Sequence, residues 1–412
     1  MPPQLVSLFG LFVLTGLAWA CSLNRKAFPW RTVLWGFGLQ FLFALIILKT
    51  AFGAGLFEFA QRAVTKLNEF AFEGAKMVFG PLANTALLSE KWGPENAFVF
   101  AITVSATIIF VSALSSLFYH WGILQRVVHA IAIVMQKAMR TSGSETLAAA
   151  ANIFMGQTEA PLVIRPYLAG MTRSELLALM IPGMASIAGG VLAVYSSLGA
   201  DPGHLLTASV MSAPAALLIS KIMLPETERS ETAHDAPLKI ERTASNSIDA
   251  LCRGASDGLT LTLNVIAMLI AFVAVVALAN YLLGLMLSPF SVQMTWQTLL
   301  GWVNAPLAWL MGVPAKDCLR VGEILGERIV LNEFFGYLTL TQQKASLDER
   351  SFVLATYALC GFANFSSIAI QIGGIGGLAP ERRSELAQLG LRSMIGGMLA
   401  CYLTAAIVGI LI

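Results

Sequence analysis

Eight long apolar runs dominate this sequence and restrict the chain to folds that suit a lipid bilayer. Each run has about 20 residues, enough for a helix to cross the ~30 Å hydrocarbon core. Backbone polar groups in lipid must pair within the protein, so we expect each run to be helical. The runs are residues 4–21, 32–52, 97–120, 174–199, 204–223, 259–287, 351–373 and 388–412.

Composition supports a membrane protein and excludes other classes. Of the 412 residues, 57% are hydrophobic and only 12% are charged, whereas soluble domains have about 25% charged residues. The net charge of +2 gives no reason to expect a nucleic-acid partner. The five cysteines are scattered, which indicates packing thiols. HExxH, GxSxG and P-loop motifs are absent from the sequence, so we do not expect an enzyme.

A polar stretch, Gln157 to Glu159, interrupts the apolar sequence. The run 147–155 precedes it and the short run 161–170 follows it. Each arm would form a helix of about 15–18 Å, roughly half the hydrocarbon core. Two half-length helices that meet at a polar tip predict a re-entrant hairpin over 144–170. A carboxylate at that depth is costly, so Glu159 is expected to have a function.

A second segment, 316–343, repeats this order of features. Both copies contain a half-helix, a polar tip with a glutamate, a second half-helix and a charged turn, followed by a span interrupted by glycine and small polar residues. The positive-inside rule places the N-terminus outside, the first hairpin's entry inside and the second hairpin's entry outside. The copies therefore form an inverted repeat, which is typical of secondary transporters with a midplane site.

Three motifs resemble the concentrative nucleoside transporter family. They are GQTEAPL at 156–162, NEF at 332–334 and GFANFSSI at 361–368, and they match in residue type, order and spacing over nearly the whole chain. The resemblance implies a homotrimer in the bacterial inner membrane, with a fixed scaffold and a mobile transport domain that moves like an elevator. It implies symport of a nucleoside, such as uridine, with sodium, or with protons in some members.

The resemblance and the repeat together divide the chain into four parts. Residues 1–120 would hold scaffold spans and an outer surface segment, and 121–223 the first transport repeat, which begins with an interfacial helix. Residues 224–290 would hold a cytoplasmic linker and a scaffold span, and 291–412 the second transport repeat with its own interfacial segment. The expected fold is an all-α integral membrane protein with eight transmembrane helices and two re-entrant hairpins.

The resemblance also implies the binding residues. The substrate site combines polar tips and pocket walls: Gln157, Thr158 and Glu159 at the nucleobase, Glu333, Asn364 and Ser367 at the ribose, and Phe362 and Val191 lining the pocket. The sodium site consists of oxygen ligands: the side chains of Asn152 and Ser186 and the carbonyls of Met155, Ser186 and Ile187. Met155 stands where the family pattern has valine, but only its carbonyl would bind the ion.

The residue chemistry agrees with these roles but leaves alternatives open. An amide both donates and accepts hydrogen bonds, as a nucleobase edge requires, and a carboxylate accepts strongly from vicinal hydroxyls. Glu159 and Glu333 could instead pair with Arg165, Arg320 or Arg328 and brace the hairpins. Either acid could carry a coupling proton, because burial disfavours an ionised carboxylate. A carrier for another solute, such as a dicarboxylate, and a passive channel are the other functional alternatives.

Overall fold

The computed structural model describes residues 2–93, 99–232, 244–288 and 294–412, and these ranges contain helices and no strands. The first half of the chain forms eleven α-helices: α1 (Pro3–Ala20), α2 (Trp30–Lys49), α3 (Ala51–Phe79), α4 (Thr85–Trp92), α5 (Phe100–His120), α6 (Ile123–Met139), α7 (Gly143–Ala151), α8 (Ala160–Val163), α9 (Arg173–Ala185), α10 (Gly189–Ser197) and α11 (Pro202–Met223).

The second half forms seven more: α12 (Ser247–Leu287), α13 (Trp296–Leu310), α14 (Cys318–Val330), α15 (Glu333–Gln342), α16 (Glu349–Leu359), α17 (Phe365–Leu378) and α18 (Arg383–Leu411). The core lies where α9, α11 and α18 pack against one another, and nearly every side chain of α9 and α11 is buried. Around it, α2 packs on α11, α1 on α18, and α12 on α5.

Two stretches of the chain have the order of elements that the sequence predicts for a repeat. In the first, the pair α7 and α8 is followed by a 3-10 turn, Arg165–Gly170, and by the interrupted pair α9 and α10. In the second, α14 and α15 are followed by a 3-10 turn, Lys344–Ser346, and by the interrupted pair α16 and α17. We call α7 to Gly170 hairpin 1 and α14 to α15 hairpin 2.

The count of spanning helices differs from the predicted eight. By length and composition, seven helical segments of the described chain qualify as membrane spans. The difference is the run 351–373, which forms two shorter helices because the chain leaves the helical conformation between Leu359 and Phe365. Asn364 then starts α17 by accepting a hydrogen bond from the Ser367 N–H, the role of an N-cap.

Two further local expectations are wrong. The second arm of hairpin 1 is α-helical only at Ala160–Val163, before the 3-10 turn, since Pro166 disfavours the α conformation at the residue before it. The second is that the apolar segment from Trp296 to Val313, the predicted interfacial segment, would be broken at Pro306, whereas α13 continues through this proline. It removes one backbone hydrogen bond, but α13 packs extensively against α14, which offsets that loss.

Parts of two predicted features lie outside the described residues. Residues 233–243 belong to the predicted cytoplasmic linker, and 289–293 lie at the boundary of the second predicted transport repeat. Residues 97 and 98, the start of the third predicted span, also lie outside. The described part of that span is α5, which packs against α3, α10 and α12.

Candidate functional site

The tip of hairpin 1 lies against the interruption between α9 and α10. The carbonyl of Phe154 accepts a hydrogen bond of 3.1 Å from the Gly189 N–H, which fixes the tip to the start of α10. Within the tip, the Gly156 N–H donates to Oε2 of Glu159 at 3.1 Å. The polar tip predicted from sequence is therefore a closed turn, held at the point where α9 ends.

The tip of hairpin 2 places Glu333 at the first position of α15. Asn332 caps this helix by accepting a 3.2 Å hydrogen bond from the Phe335 N–H. The Glu333 side chain is buried, and a negative charge at a helix N-terminus is stabilised by the helix dipole. Oε1 accepts from the Tyr195 hydroxyl at 2.7 Å, and Oε2 accepts from Nδ2 of Asn364 at 3.1 Å.

A continuous chain of hydrogen bonds joins the two hairpin tips. It runs from Tyr195 through Glu333 to Asn364, whose Oδ1 accepts from the Ser367 N–H at 2.9 Å. Oγ of Ser367 then accepts from Nε2 of Gln157 at 3.1 Å. Four residues that the sequence assigns to the substrate site are thus brought together. Oε1 of Gln157 is buried without a hydrogen-bond partner in the described chain, so an acceptor is left for a ligand.

Tyr195 belongs to this arrangement but was not identified from the sequence. It lies one helical turn after Val191 on α10, and its ring stacks on Tyr337 with centroids 4.4 Å apart. The signal was present, since residues four apart on a helix share a face. Because Tyr195 shares a helix face with Val191, its hydroxyl faces the same pocket.

Gln371 is the second residue that sequence reasoning missed. It follows Ser367 by one turn of α17, it is buried, and its Nε2 donates to the carbonyl of Met180 at 3.0 Å. This bond ties α17 to α9, so the second repeat is fixed to the first beside the site. The spacing from Ser367 was again the available signal.

Glu159 lies apart from this chain of hydrogen bonds. It faces a cavity of about 460 Å³ that hairpin 1 shares with α5 and α12, where Asp257 is another lining acid. This volume is in the usual range of small-molecule pockets. Thr158 is exposed, and its methyl group lies close to Gly374 of α17. The structure therefore separates Glu159 and Glu333 into two environments.

Val191 and Phe362 occupy different surroundings near the tips. Val191 is buried in α10. Phe362 is half-buried in the interruption before α17, and its carbonyl accepts a 2.9 Å hydrogen bond from the Asn364 N–H. Phe362 is thus held beside a residue that binds Glu333.

The alternative that the two tip acids form direct ion pairs with arginines is wrong. Within the described residues, neither Glu159 nor Glu333 forms an ion pair. Arg320 donates to the carbonyl of Ser346, and Arg328 donates to the carbonyl of Ala358. The carboxylate of Glu333 accepts hydrogen bonds from the Tyr195 hydroxyl and the Asn364 amide, and Arg328 acts on it only through space. Its oxygens can accept further hydrogen bonds from a ligand hydroxyl.

The predicted sodium ligands are arranged to present oxygen atoms. Asn152 is buried, and its Nδ2 donates to the Ala148 carbonyl at 3.0 Å. Its Oδ1 is left buried without a hydrogen-bond partner in the described chain. Oγ of Ser186 donates to the Pro182 carbonyl at 2.8 Å, so its lone pairs are free. Neutral side-chain oxygens and carbonyls of an unwound turn are the ligands that sodium takes in transporters.

In the ranges that the structure describes, no group of three or more His, Cys, Asp or Glu side chains is placed to hold a metal ion. Ser186 has an extended backbone at the end of α9. Met155 and Ile187 flank the same junction between hairpin 1 and the interruption after α9. The residues present therefore fit a monovalent cation bound by oxygen atoms.

Comparison with known protein families gives three matches that together cover most of the chain. Residues 204–409 match the model described as Na+ dependent nucleoside transporter C-terminus, and residues 9–82 match the corresponding N-terminus model. Residues 101–202 match a model described as nucleoside recognition.

Characterised and uncharacterised transporters are similar to the whole chain. An uncharacterized transporter of Bacillus subtilis, YutK, is 42% identical over 407 residues, which is 98% of each chain. The rat sodium/nucleoside cotransporter 1 is 41% identical over 427 residues, which covers 100% of this chain and 64% of that protein.

Solved structures agree with the sequence relatives. The structure of CNTnw in an inward-facing, substrate-bound state has a TM-score of 0.94 at 37% identity, and the match covers 99% of this chain and 97% of that one. An outward-facing structure of a CNTnw variant also gives 0.94.

Proposed function

Because this chain belongs to the concentrative, Na+-dependent nucleoside transporter family, we propose that it is a secondary active symporter that imports nucleosides with sodium. Members of this family are multi-pass membrane transporters and not enzymes, so the substrate is bound and released unchanged. The observation that carries the proposal is the hydrogen-bonded chain from Glu333 to Gln157. It offers a carboxylate for ribose hydroxyls and an amide for a nucleobase.

The ribose end of the site rests on the surroundings of Glu333. Each carboxylate oxygen accepts one hydrogen bond, from Tyr195 and from Asn364, and each retains acceptor capacity. Hydrogen bonds from vicinal hydroxyls to such a carboxylate are charge-assisted, so they are stronger than those to a neutral acceptor. Ser367 completes this end, and Phe362 and Val191 form its apolar walls.

The nucleobase end is assigned to the tip of hairpin 1. Gln157 keeps a buried, unpartnered acceptor oxygen, and Thr158 and Glu159 follow it on the turn. Glu159 borders the cavity between hairpin 1 and the helices α5 and α12. We assign that cavity to the route by which the nucleoside reaches or leaves the tip.

Sodium is the coupling ion that the neutral oxygen ligands favour. Asn152 and Ser186 would bind it through side-chain oxygens, and Met155, Ser186 and Ile187 through carbonyls. A membrane potential of ~100 mV is worth roughly 2.3 kcal/mol per charge, and a tenfold gradient adds about 1.4 kcal/mol. One ion per nucleoside would therefore support accumulation of roughly 500-fold.

The proposed movement is that of an elevator. The two repeats, 121–223 and 291–412, would move as a transport domain with both hairpins re-entrant, against a scaffold of residues 1–120 and α12. Eight spans result when the interrupted pair α16 and α17 is counted as one crossing. The N-terminus would lie outside the bacterial inner membrane.

We include a homotrimer in the proposal because α12 has a large apolar surface that the rest of the chain leaves uncovered. Ile270 and Leu278 are 69% and 58% exposed. Lipid and neighbouring protomers would cover such a surface.

Uridine uptake into proteoliposomes tests the function and separates the alternatives. The proposal expects uptake to require an inward sodium gradient. Uptake driven by a proton gradient alone would assign the coupling ion to a proton on Glu159 or Glu333. Competition by succinate against uridine would indicate a dicarboxylate carrier. Equilibration without accumulation under either gradient would indicate a channel.

A further inference from the structure

Arg328 is a buried cation whose role the proposed site does not explain. It lies in the last turn of α14, and its side chain is 0% exposed. It has no carboxylate partner within 4.0 Å among the described residues. Glu333 attracts it only through space, and a buried charge without a directly paired counterion is strongly unfavourable unless other groups compensate it. An arginine remains protonated in such a place, so its surroundings must supply negative potential.

The carbonyl end of α16 supplies that potential. Nη1 of Arg328 donates to the Ala358 carbonyl at 2.6 Å, and Nη2 donates to the Tyr402 hydroxyl at 3.3 Å. The guanidinium carbon lies 5.2 Å from the Tyr402 ring centroid. Since α16 ends at Leu359, its last carbonyls carry roughly half a negative charge. Arg328 therefore neutralises the buried end of this interrupted helix.

The matching helix of the first repeat ends without a basic side chain. Neither α9 nor α16 has a basic side chain in its own last turn, but in the described chain only the end of α16 accepts a hydrogen bond from an arginine of its hairpin. Hairpin 1, which packs on α9 and is bonded to the start of α10, has no arginine here, and its first arm ends at Asn152, whose Oδ1 is buried and unpartnered in the described chain. This is the proposed sodium site. Each repeat thus has a helix end with negative potential beside the first arm of its hairpin, but only the second has a cation built into the chain.

The two helix ends also lie next to each other. Sγ of Cys401 lies 3.6 Å from the Ala185 carbonyl oxygen and 3.5 Å from the Cys360 carbonyl oxygen, so its single S–H can donate to either helix end. A Cβ added to Gly361 would lie only 2.6 Å from the Met184 carbonyl oxygen. Negative potential at two helix ends in such close contact favours positive charge beside them.

We propose that the guanidinium of Arg328 takes, in the second repeat, the place that the coupling sodium takes in the first. The transport domain then carries two cations: Arg328, which is fixed in the chain, and one sodium ion, which is taken up and released. One charge therefore crosses the membrane with each nucleoside. Arg328 is a positioning residue, because it holds the end of α16 from which Phe362 and Asn364 enter the site. This inference rests on the proposed function.

The ratio of charge to uridine in the wild-type protein tests the inference without any variant. Parallel measurements of radiolabelled uridine and sodium-driven current in proteoliposomes are expected to give one charge per uridine. A ratio of two would overturn the inference, because a second mobile ion would then occupy a site of its own. Absence of driven uptake would overturn the proposed function instead, so the two failures differ.

Three variants test the charge of Arg328 directly. Arg328→Lys keeps a cation but loses the second donor and the planar contact with Tyr402, so it is expected to bind uridine more tightly than Arg328→Gln, at one charge per uridine. Arg328→Gln is expected to weaken uridine binding by at least about tenfold at fixed sodium, because the end of α16 loses its counterion. Arg320→Gln, on the same helix but exposed, is the matched control and should bind as wild type.

Either of two results from these variants would overturn the inference. One is a monodisperse Arg328→Gln protein with wild-type affinity, and the other is an Arg328→Lys protein as impaired as Arg328→Gln. If Arg328→Gln does not purify as a monodisperse protein, the wild-type charge ratio decides the matter.

Discussion

The hydroxyl of Tyr195 donates a 2.7 Å hydrogen bond to Oε1 of Glu333. These residues lie 138 positions apart, on α10 of the first repeat and α15 of the second. The bond therefore links the interrupted helix of one repeat to the hairpin tip of the other. It also fixes the carboxylate that we assign to the ribose hydroxyls, so it gives the first prediction.

Replacement of Tyr195 by phenylalanine is expected to weaken uridine binding about 5- to 15-fold, since one hydrogen bond that orients a carboxylate is worth about 1–1.5 kcal/mol. Calorimetry with purified protein measures this loss. Tyr337→Phe is the matched control, because Tyr337 stacks on Tyr195 but donates to the Thr356 carbonyl. Equal losses in both variants would mean that Tyr195 acts only through packing.

Glu333→Gln is expected to weaken binding of uridine more than 100-fold, because hydrogen bonds from the ribose to a charged acceptor are worth about 1.5–3 kcal/mol each. Binding of 2′,3′-dideoxyuridine should be weak in both wild type and variant, since this ligand lacks the donors. The exposed Glu349 provides a control as Glu349→Gln. Unchanged uridine affinity in Glu333→Gln would remove Glu333 from the ribose site.

Asn152→Leu is expected to abolish the stimulation of uridine binding by sodium. The substitution removes the unpartnered Oδ1 while keeping a similar side-chain volume. Calorimetric titrations in sodium chloride and in choline chloride measure the effect, with Asn84→Leu at the start of α4 as the control outside the site. Sodium stimulation of wild-type size in Asn152→Leu would place the ion elsewhere.

A buried ion pair at the base of hairpin 1 gives a stability prediction. Nζ of Lys221 lies 2.6 Å from Oε2 of Glu145, and both side chains are almost fully buried. Lys221→Met leaves the carboxylate unpaired and is expected to cost about 3–5 kcal/mol. Thermal unfolding in detergent should show a clear decrease in melting temperature. The double variant with Glu145→Gln should recover part of it, and no recovery would mean that lost packing, not charge, destabilises the protein.

The sequence predicted most of the helices because long apolar runs and capping residues act locally. The two tips were predictable for the same reason, since a glutamine or glutamate within apolar sequence is costly unless it has a function. Gly361 and Asn364 indicated the interruption between α16 and α17. They did not indicate that it would leave one fewer helix long enough to span the membrane. The short α8 reflects Pro166, because a proline disfavours the α conformation at the residue before it.

The contacts between the two repeats could not be predicted from the sequence. The bonds from Tyr195 to Glu333 and from Gln371 to Met180 join residues more than 130 positions apart, and no local pattern specifies them. The pairing of Arg328 with the end of α16 is likewise tertiary. The sequence suggested that arginine as a partner for a tip glutamate, whereas the structure places it against a helix end.

Uphill transport of uridine tests the central claim most directly. Proteoliposomes with an inward sodium gradient and an inside-negative potential should accumulate radiolabelled uridine well above the external concentration, and dissipation of the sodium gradient should release it. Failure of both an imposed sodium gradient and an imposed proton gradient to drive accumulation, with protein that still binds uridine, would contradict ion-coupled nucleoside symport.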